Sequence, residues 1–424
     1  AASDVYKRQA LTVWEEQYGT GPSETTLALR FKGIVQRAVE QTGHRVAILV
    51  DEYDKPMLQA IGNEELQKEY RNTLKPFYGV LKTMDGYIKL GFLTGVTKFG
   101  KVSVFSDLNN LKDISMRRDY IDICGITDKE LHRYFDKDLH TLADVQGLDY
   151  ETVCLEVQKR YDGYHFNFNT PGIYNPFSLL NTFDAMAFGS YWFATGTPSY
   201  LVYLLKKHHY RLEEIEKVEV TEDVLDSIDS EGTNPIPVIY QSGYLTIKDY
   251  DPEFGLYTLD YPNREVEEGF VKYLMPFYID KSEAEAPFEI RRFVGEVRNG
   301  NIDGFFHRLQ SFFADAPYEV IVGQDPVRNV ELFFQNVLFI VFRLAGFYTQ
   351  VEYHTSRGRI DLVLKTDKFI YVMEFKQGAT AEEALAQINE KGYADAFASD
   401  SRTLYKIGVS FSDEQRNIER WLAE

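Results

Sequence analysis

The chain has 424 residues, which is more than one compact core holds and enough for two or three domains. Apolar residues make up 44% of it and charged residues 26%, a composition that excludes intrinsic disorder. With 46 basic and 65 acidic residues, the formal net charge is −19. This charge excludes a strongly basic nucleic-acid-binding coat but leaves room for one local basic cleft.

Cysteine, hydropathy and histidine patterns narrow the class of protein further. The two cysteines, Cys124 and Cys154, are too few for a disulfide framework, so the cytoplasm is the expected compartment. No stretch reaches about eighteen apolar residues, so the sequence predicts no membrane span. The eight histidines are scattered without ligand spacing, which argues against a His-rich metal site.

The first nine residues, AASDVYKRQ, form an unusual beginning. They lack an initiator methionine, the apolar core of a signal peptide and a helical pattern. A frayed terminus is one interpretation. We favour a truncated reading frame, because the segment that follows behaves like the middle of a domain.

Three regions follow one another along the chain. Over residues 1–125, the apolar runs Arg45–Asp51 and Ile88–Thr94 are separated by a helical pattern, which predicts a parallel α/β sheet buried on both faces. Residues 126–287 are mostly helical in pattern, with a small β element. Residues 288–424 fit the order helix, three strands, helix, strand and helix. The sequence therefore predicts a multidomain α/β protein.

Two acids end the first apolar run. Asp51 and Glu52 directly follow Val46–Val50, which is the arrangement of a Walker B strand. In such a strand the first acid holds Mg²⁺ through water and the second polarises the attacking water. A strand capped by solvated acids gives the same pattern, so the motif alone leaves both interpretations open.

The motifs around these acids resemble those of one bacterial family. Asp51-Glu-Tyr-Asp-Lys-Pro56 is followed by Gly91-Phe-Leu-Thr-Gly-Val-Thr-Lys-Phe99. Further motifs extend over nearly the whole chain: Ser103-Val-Phe-Ser106, Leu108-Asn-Asn-Leu111, Tyr161-Asp-Gly-Tyr164, Tyr174-Asn-Pro-Phe-Ser178, Tyr191-Trp-Phe-Ala-Thr-Gly-Thr-Pro198 and Tyr240-Gln-Ser-Gly-Tyr-Leu245. Together they resemble the AAA-ATPase-like family, whose members typically carry a C-terminal PD-(D/E)XK nuclease domain. The resemblance implies that Asp51 and Glu52 are the Walker B acids and that Thr94 is a sensor-like residue that probes the γ-phosphate of ATP.

The phosphate-binding loop of that family is missing from the sequence. A P-loop needs G-x-x-x-x-G-K-[ST], whose backbone N–H groups cradle the phosphates while the lysine neutralises them. The Gly-rich segment Gly19–Thr26 lacks the lysine, places Glu24 where phosphate would lie and follows no predicted strand. In the family the P-loop lies upstream of such a Walker B motif, so we expect the truncation to have removed it. ATP is then a cofactor of the full-length protein and doubtful for this chain.

A second site is predicted in the last region, where two apolar strands joined by a four-residue loop, Thr366–Phe369, indicate a β-hairpin. This loop length pairs Asp361 with Glu374, and directly paired residues lie about 5 Å apart between their Cβ atoms. Lys376 lies two residues beyond Glu374 and joins the same face by the strand period of two. Two carboxylates and one ammonium thus converge on one face.

These three side chains offer the chemistry of phosphodiester hydrolysis. The paired acids can hold Mg²⁺ or Mn²⁺, which favour oxygen ligands. Lys376 can orient or deprotonate the attacking water and offset charge in the transition state. A solvated sheet face with a surface salt bridge is the alternative interpretation. The spacing resembles the PD-(D/E)XK signature, with Ile360-Asp361 in place of Pro-Asp.

The elements around the hairpin match the minimal fold that this resemblance implies. Glu331, near the start of a predicted helix, could supply a further acid to the metal, and Glu352 lies near the end of the first predicted strand, Phe347–Tyr353. Gln387, in the helix after Lys376, would face the site as the superfamily's frequent helical glutamine. Each of these three residues stays open between a site role and a surface role.

The sequence therefore predicts a C-terminal part of an AAA-like ATPase module (1–125), a helical middle region with a winged-helix-like β element at Pro237–Leu259 (126–287) and a restriction-endonuclease-like domain (288–424). The leading function is metal-dependent hydrolysis of nucleic acid, powered or gated by ATP in the full-length protein. The alternative is a non-catalytic nucleotide-dependent switch or nucleic-acid-binding scaffold with a degenerate nuclease fold. DNA is favoured over RNA as the partner, no membrane is expected, and an oligomer stays open.

Overall fold

The computed structural model describes residues 2–60, 63–96, 110–192, 201–202, 204–205, 210–226, 234–278, 285–314, 326–346, 350–356, 359–412, 414–415 and 417–424. Side chains are described there except at 2–9, 286, 326–332, 350–356 and 359–361. Two compact units divide the chain: Ala1–Cys124, His165–Thr170 and Glu219–Leu259 form the first, and Gly125–Tyr164, Pro171–Val218 and Asp260–Glu424 the second. The fold is mixed α/β, as the sequence predicts. The three-region division stays a prediction.

The first unit begins with two helices, α1 (Ala2–Tyr18) and α2 (Leu27–Thr42). Leu11 of α1 is buried in the apolar core of the unit, and Arg30 of α2 donates from Nε to Glu15 Oε1 at 2.6 Å. The expectation that the first nine residues lack helical structure is wrong from residue 2 onward. The helix extends outward from its packed middle turn through alanine, lysine, arginine and glutamine, which have good helix propensity.

Strands β1 (Val46–Val50) and β2 (Ile88–Leu93) pair in parallel, as the sequence predicts. Their connection contains two helices, α3 (Lys55–Gln59) and α4 (Glu64–Thr83). Alternate residues of β1 pack against the core of the unit, but on the other face Leu49 is 71% and Leu90 52% exposed. The expectation of burial on both faces is therefore wrong for these two strands, because the described helices cover one face only.

Four helices of the second unit come next in the chain: α5 (Asp128–Tyr134), α6 (Asp136–Gln146), α7 (Tyr150–Tyr161) and α8 (Pro176–Ala185). Thr127 begins α5 in a capping box with Glu130, and Asn175 caps α8 ahead of a proline at the first helical position. Their apolar faces share one core, which includes Leu131, Leu139, Val153 and Leu179. These residues are helical, as their pattern predicts.

A small sheet follows, with three strands in the order β3-β5-β4. The strands are β3 (Val218–Thr221), β4 (Thr246–Asp251) and β5 (Leu256–Asp260), and the helices α9 (Glu222–Asp226) and α10 (Ile236–Gln241) precede β4. The hairpin predicted for Pro237–Leu259 is thus present only from residue 246. Pro237 lies instead in the first turn of α10, where a missing N–H breaks no helical hydrogen bond. The likeness to a winged helix stays a prediction.

The rest of the second unit contains a five-stranded sheet of order β10-β9-β8-β7-β6. Four helices lead into it: α11 (Arg264–Tyr278), α12 (Ala286–Asn299), α13 (Ile302–Ala314) and α14 (Pro326–Gly346). The sheet comprises β6 (Gln350–Ser356), β7 (Arg359–Lys365), β8 (Phe369–Gln377), β9 (Thr403–Ser412) and β10 (Asn417–Ala423), with α15 (Ala381–Lys391) between β8 and β9. Strands β8 and β9 are parallel and the other neighbours antiparallel. The predicted order of helix, three strands, helix and strand is confirmed.

Helices cover both faces of this sheet at β8. Phe375 lies 6.2 Å from Phe342 of α14 between ring centroids, whereas Val372 packs in an apolar cluster with Ile388 of α15. Successive residues of a strand point to opposite faces. The even-numbered positions of β8, which include those of Glu374 and Lys376, therefore belong to the face that α15 covers.

The last element is a strand, so the predicted C-terminal helix is wrong. Strand β10 pairs antiparallel with β9, with an irregularity between Ile418 and Arg420. The Gln310 amide of α13 donates to the Ile418 carbonyl at 2.8 Å, and the Trp421 indole donates to Asp303 at 2.8 Å. As a strand, this segment pairs its backbone with the open edge of β9 and forms hydrogen bonds to α13 through its backbone and the Trp421 ring. These contacts with distant segments outweigh the local helix propensity.

Candidate functional site

The β7–β8 hairpin sets the geometry of the C-terminal candidate site. At its turn, the Thr366 hydroxyl accepts the backbone N–H of Lys368 at 3.3 Å and of Phe369 at 2.9 Å. From this turn the ladder pairs Asp361 with Glu374. The predicted register is confirmed, and the two acids occupy directly opposed positions on one face of the sheet.

Glu374 lies in the interior of the fold. Its exposed fraction is 0%, and α15 covers the face to which it belongs. Removing a carboxylate from water is costly unless nearby charges or hydrogen bonds offset the lost hydration. The alternative of a solvated sheet face is therefore wrong for this residue, and an acid buried at this position is a candidate for function.

Lys376 and Gln387 are brought together by the sheet and α15. The half-buried Lys376 ammonium donates from Nζ to Gln387 Oε1. Because Lys376 lies two residues beyond Glu374, both belong to the same face of β8. The expectation that the helical glutamine faces the site therefore agrees with the contact in the structure, while its catalytic role stays a prediction.

The ladder also shows a position that the sequence did not indicate. His354 of β6 pairs with Asp361, and Gly408 of β9 pairs with Glu374. These four positions form one row across four strands. The sequence missed His354 because the first strand was predicted to end at Tyr353, whereas β6 extends to residue 356. The pairing register of β6 with β7 is what places His354 opposite Asp361.

Three of the predicted acids are placed by their backbone alone. Glu331 lies within α14, and Glu352 pairs with Val363 of β7, which puts its position on the same face as Asp361. The side chains of Glu331, Glu352 and Asp361 lie outside the described ones. Among the side chains that are described, no cluster of three or more His, Cys, Asp or Glu is suited to a metal ion. The metal set Asp361, Glu374 and Glu331 stays a prediction.

In the first unit, Asp51 and Thr94 are in direct contact. The Thr94 hydroxyl donates to Asp51 Oδ1 at 2.6 Å, and the same oxygen accepts the Glu52 backbone N–H at 2.9 Å. The Thr94 backbone N–H donates to the Val50 carbonyl at 2.8 Å. Both side chains thus lie at the carboxyl end of parallel strands, which is where open α/β sheets bind ligands.

Glu52 takes part in a different contact. Its backbone is left-handed, with φ of 49°, and its Oε2 lies 2.6 Å from Lys55 Nζ. Both side chains are more than half exposed, so this pair contributes little to stability. The structure therefore separates the two acids, with Asp51 on Thr94 and Glu52 on Lys55. Their roles toward nucleotide stay predictions.

Asp54 is a residue of this segment that sequence reasoning missed. It is only 1% exposed, and its Oδ1 accepts the Val96 backbone N–H at 3.2 Å. The turn after β1 is thereby joined to the segment after β2. Nothing in the sequence distinguishes Asp54 from a solvated acid, because it stands in the turn DEYDK among other charged residues.

The rejected P-loop candidate has a structural role. The Glu24 carboxylate of the segment Gly19–Thr26 forms an ion pair with the Arg37 guanidinium of α2. The hydrogen bond from Arg37 holds the pKa of Glu24 below its usual value. A charged carboxylate in this position fixes the loop to α2 and repels phosphate, in agreement with the sequence argument.

Comparison with known families now defines the class of protein. Residues 4–105 match the family model described as AAA-ATPase-like, predicted AAA-ATPase, and residues 329–421 match the PD-(D/E)XK nuclease superfamily. The chain belongs to the family of AAA-ATPase-like proteins that carry a C-terminal PD-(D/E)XK nuclease superfamily domain. The predicted resemblance is confirmed.

One curated relative resembles the chain over nearly its whole length. It is named "Uncharacterized protein in vnfD 5'region", from Azotobacter chroococcum mcd 1, and is 32% identical to the chain. The match covers 98% of this chain and 79% of the relative. No solved structure matches the chain. None of the described helices is both long and apolar enough to cross a membrane.

Proposed function

We propose that the C-terminal domain is a metal-dependent nuclease that hydrolyses nucleic-acid phosphodiesters and is coupled in the full-length protein to the AAA-like ATPase module. One observation carries the proposal. The ladder sets Asp361 opposite a fully buried Glu374, on the face where Gln387 holds the Lys376 ammonium. A solubilising salt bridge requires no such burial, whereas acids and an ammonium on one covered face match phosphodiester hydrolysis.

The donor set of this face fits Mg²⁺ or Mn²⁺. Both ions prefer carboxylate oxygens, and the face offers Glu374 together with the position of Asp361. The proposal assigns the ion to these two residues, with Glu331 of α14 as a third acid. When bound, the ion would act as a Lewis acid on the phosphoryl group and lower the pKa of its bound water.

Lys376 supplies a positive charge whose place is fixed. An ammonium has three N–H donors, and Gln387 Oε1 accepts one of them. The remaining donors can orient the attacking water or bind a non-bridging phosphoryl oxygen, where negative charge grows in the transition state. Because Gln387 holds the ammonium at the sheet, less ordering is needed when the substrate arrives.

The remaining features of the proposal concern the partner and the compartment. DNA is the favoured substrate over RNA, and the net charge of −19 means that phosphate contacts are local to the site. Both cysteines are free thiols, in keeping with a reducing cytoplasm.

The test is cleavage of labelled single-stranded and double-stranded DNA and RNA with Mg²⁺, with Mn²⁺ and with chelator. Lys376→Ala should keep Mn²⁺ binding, read by titration calorimetry, and lower the cleavage rate by about 100-fold or more. Asp361→Ala should lose both. The matched control is Lys368→Ala, which removes an exposed lysine from the turn of the same hairpin and should change neither.

The outcomes separate the two functions that the sequence left open. Cleavage that survives both Lys376→Ala and Asp361→Ala at the wild-type rate would falsify the nuclease assignment. Metal binding that depends on Asp361, without cleavage of any of the substrates, would instead favour the non-catalytic scaffold.

The nucleotide half of the proposal rests on the contact between Asp51 and Thr94. We expect this chain to bind Mg·ATP weakly, because carboxylates repel phosphate where no P-loop cradle faces them. Titration calorimetry with Mg·ATP measures this, and a micromolar Kd would contradict it. In a longer protein with an intact P-loop, Asp51→Ala should weaken binding, whereas Asp85→Ala in the same unit should not.

A further inference from the structure

Gly408 of β9 lies directly beside the buried acid of the candidate site. The parallel ladder pairs Gly408 with Glu374, so the two positions share the face that α15 covers. A Cβ atom added at Gly408 would lie 2.2 Å from the Ala381 carbonyl oxygen and 2.5 Å from the Leu385 backbone nitrogen. Both are backbone atoms of α15, which no side-chain rotation can move. Only glycine permits this approach of helix and sheet.

The face of α15 that meets the sheet is built for the same close approach. It presents the small residues Ala381 and Ala384, both fully buried, together with Leu385 and Ile388. Thr380 begins the helix in a capping box, which fixes the residue at which it starts. Small residues on both sides of the contact thus define one position of the helix on the sheet.

The position of α15 determines the position of Gln387. Gln387 lies three residues after Ala384, hence on an adjoining part of the same helix surface, and accepts the hydrogen bond of the Lys376 ammonium. If an added methyl group at Gly408 displaced α15 from the sheet, Gln387 would move away from Lys376. The displacement would also loosen the cover over the face of the sheet to which the fully buried Glu374 belongs.

We propose that Gly408 is a positioning residue of the nuclease site: it seats α15 so that Gln387 holds the Lys376 ammonium beside Glu374. The catalytic part of this inference rests on the proposed function. The positional part concerns the contact between Lys376 and Gln387 and holds whether or not the protein cleaves nucleic acid.

The test compares Gly408→Ala with Gly295→Ala, a change in α12 of the same unit whose added methyl group would meet no atom within 4 Å. Amine acetylation of the folded chain by acetic anhydride is read at Lys376 by mass spectrometry, with Lys272 as the internal reference. Acetylation of Lys376 should rise several-fold in Gly408→Ala and in Gln387→Ala, and stay unchanged in Gly295→Ala. Hydrogen exchange of the α15 amides should rise in Gly408→Ala alone, which separates a displaced helix from a lost acceptor.

Cleavage kinetics add the catalytic measurement. In Gly408→Ala, kcat should fall by about 100-fold with little change in KM, because misplacement affects the reacting groups more than substrate binding. A folded Gly408→Ala protein with wild-type acetylation of Lys376 and wild-type kcat overturns the inference. If the wild type cleaves nothing, the proposed function fails. The acetylation of Lys376 still tests whether Gly408 sets the position of α15. If Gly408→Ala does not fold, Ala384→Val, which adds bulk to the same contact, decides by the same measurements.

Discussion

At the residue scale, the missing Cβ of Gly95 lets the segments after β1 and β2 meet. A Cβ there would lie 2.6 Å from Asp54 Oδ1 and 2.7 Å from Tyr53 Cε1. Asp54 is buried and Tyr53 is half-buried against the apolar core of the unit, hence neither can move without disturbing its own packing. We expect Gly95→Ala to lower the free energy of unfolding by about 1–3 kcal/mol, measured by urea denaturation.

Gly91→Ala is the matched control for this prediction. Gly91 lies in β2, and a Cβ added there would meet no atom within 4 Å. We expect a change within about 0.5 kcal/mol. Equal denaturation midpoints for the two variants would show that the segments adapt to the added methyl group.

The prediction of single residues succeeded where the spacing along the chain determines which residues are paired. It failed where the result depends on which side chains become buried. The loop length fixed the pairing of Asp361 with Glu374, since a hairpin register follows from its turn. The burial of Asp54 and the separation of Glu52 from Asp51 depend on what the segment after β2 supplies, and no local pattern contains that information. His354 was missed for a related reason, because a shift of one strand boundary decides whether it belongs to the ladder.

At the element scale, the β7–β8 turn is held by the Thr366 side chain. Its hydroxyl accepts two backbone N–H groups, from Lys368 and Phe369, and the residue is buried. Thr366→Val keeps the shape but leaves these donors without their acceptor, so we expect a loss of about 1–2 kcal/mol of stability. The comparison is Thr366→Ser, which keeps the hydroxyl. Thermal unfolding of both variants measures the effect, and a valine variant as stable as the serine variant would contradict it.

The elements that the sequence predicted correctly are those whose patterns agree with their surroundings. β8 alternates between two covered faces, and α15 has a capping box and a glycine C-cap. β10 was mistaken for a helix because its partners, the β9 edge and α13, are distant in sequence. The exposed face of β1 and β2 was wrongly predicted to be buried. An apolar run shows only that a strand is apolar, and it does not show whether helices cover both of its faces.

At the scale of the whole molecule, the described carboxylates with a raised pKa belong to the second unit, whereas lowered pKa values occur in both units. In the first unit, hydrogen bonds from Arg30 and Arg37 hold the pKa values of Glu15 and Glu24 below their usual range. In the second unit, burial raises the pKa of Glu216 to about 7. Acid therefore removes stabilising charges from the first unit, and in the second unit it neutralises a charge that burial makes costly.

Glu216 keeps its raised pKa although a cation lies close to it. Arg343 Nε lies 2.9 Å from Glu216 Oε1, but the same guanidinium also binds Glu267, with 2.5 Å between Nη2 and Oε1. One positive charge is thus shared by two carboxylates, while Asp260 adds further negative charge. Burial and these like charges outweigh the attraction of Arg343, so the protonated form of Glu216 is favoured up to neutral pH.

We expect the second unit to lose stability as the pH rises toward neutrality, and the first unit to lose stability in acid. Between about pH 4.5 and 7, folded Glu216 binds a proton that the unfolded chain does not bind, so the second unit loses stability as the pH rises through this window. Glu15 and Glu24 have lowered pKa values in the folded state. Their contribution is present above about pH 4.5 and is lost as the pH falls below it. Glu216→Gln should make the profile of the second unit less steep, with the rest of the slope due to the raised pKa values of Glu265 and Glu267, and should stabilise the unit at pH 8 by about 1–2 kcal/mol.

Peptide-level hydrogen exchange measures the stability of each unit separately. It is recorded at pH 5.5 and at pH 8 and corrected for the intrinsic exchange rates. Protection of the α11 and α14 amides against exchange should be higher at pH 5.5 than at pH 8 in the wild type, and this difference should be clearly smaller in Glu216→Gln. The control is Glu214→Gln, because the exposed Glu214 lies 3.6 Å from Arg211 and outside the buried cluster. A wild-type profile in Glu216→Gln, or the same flattening in Glu214→Gln, would show that another group titrates in this window.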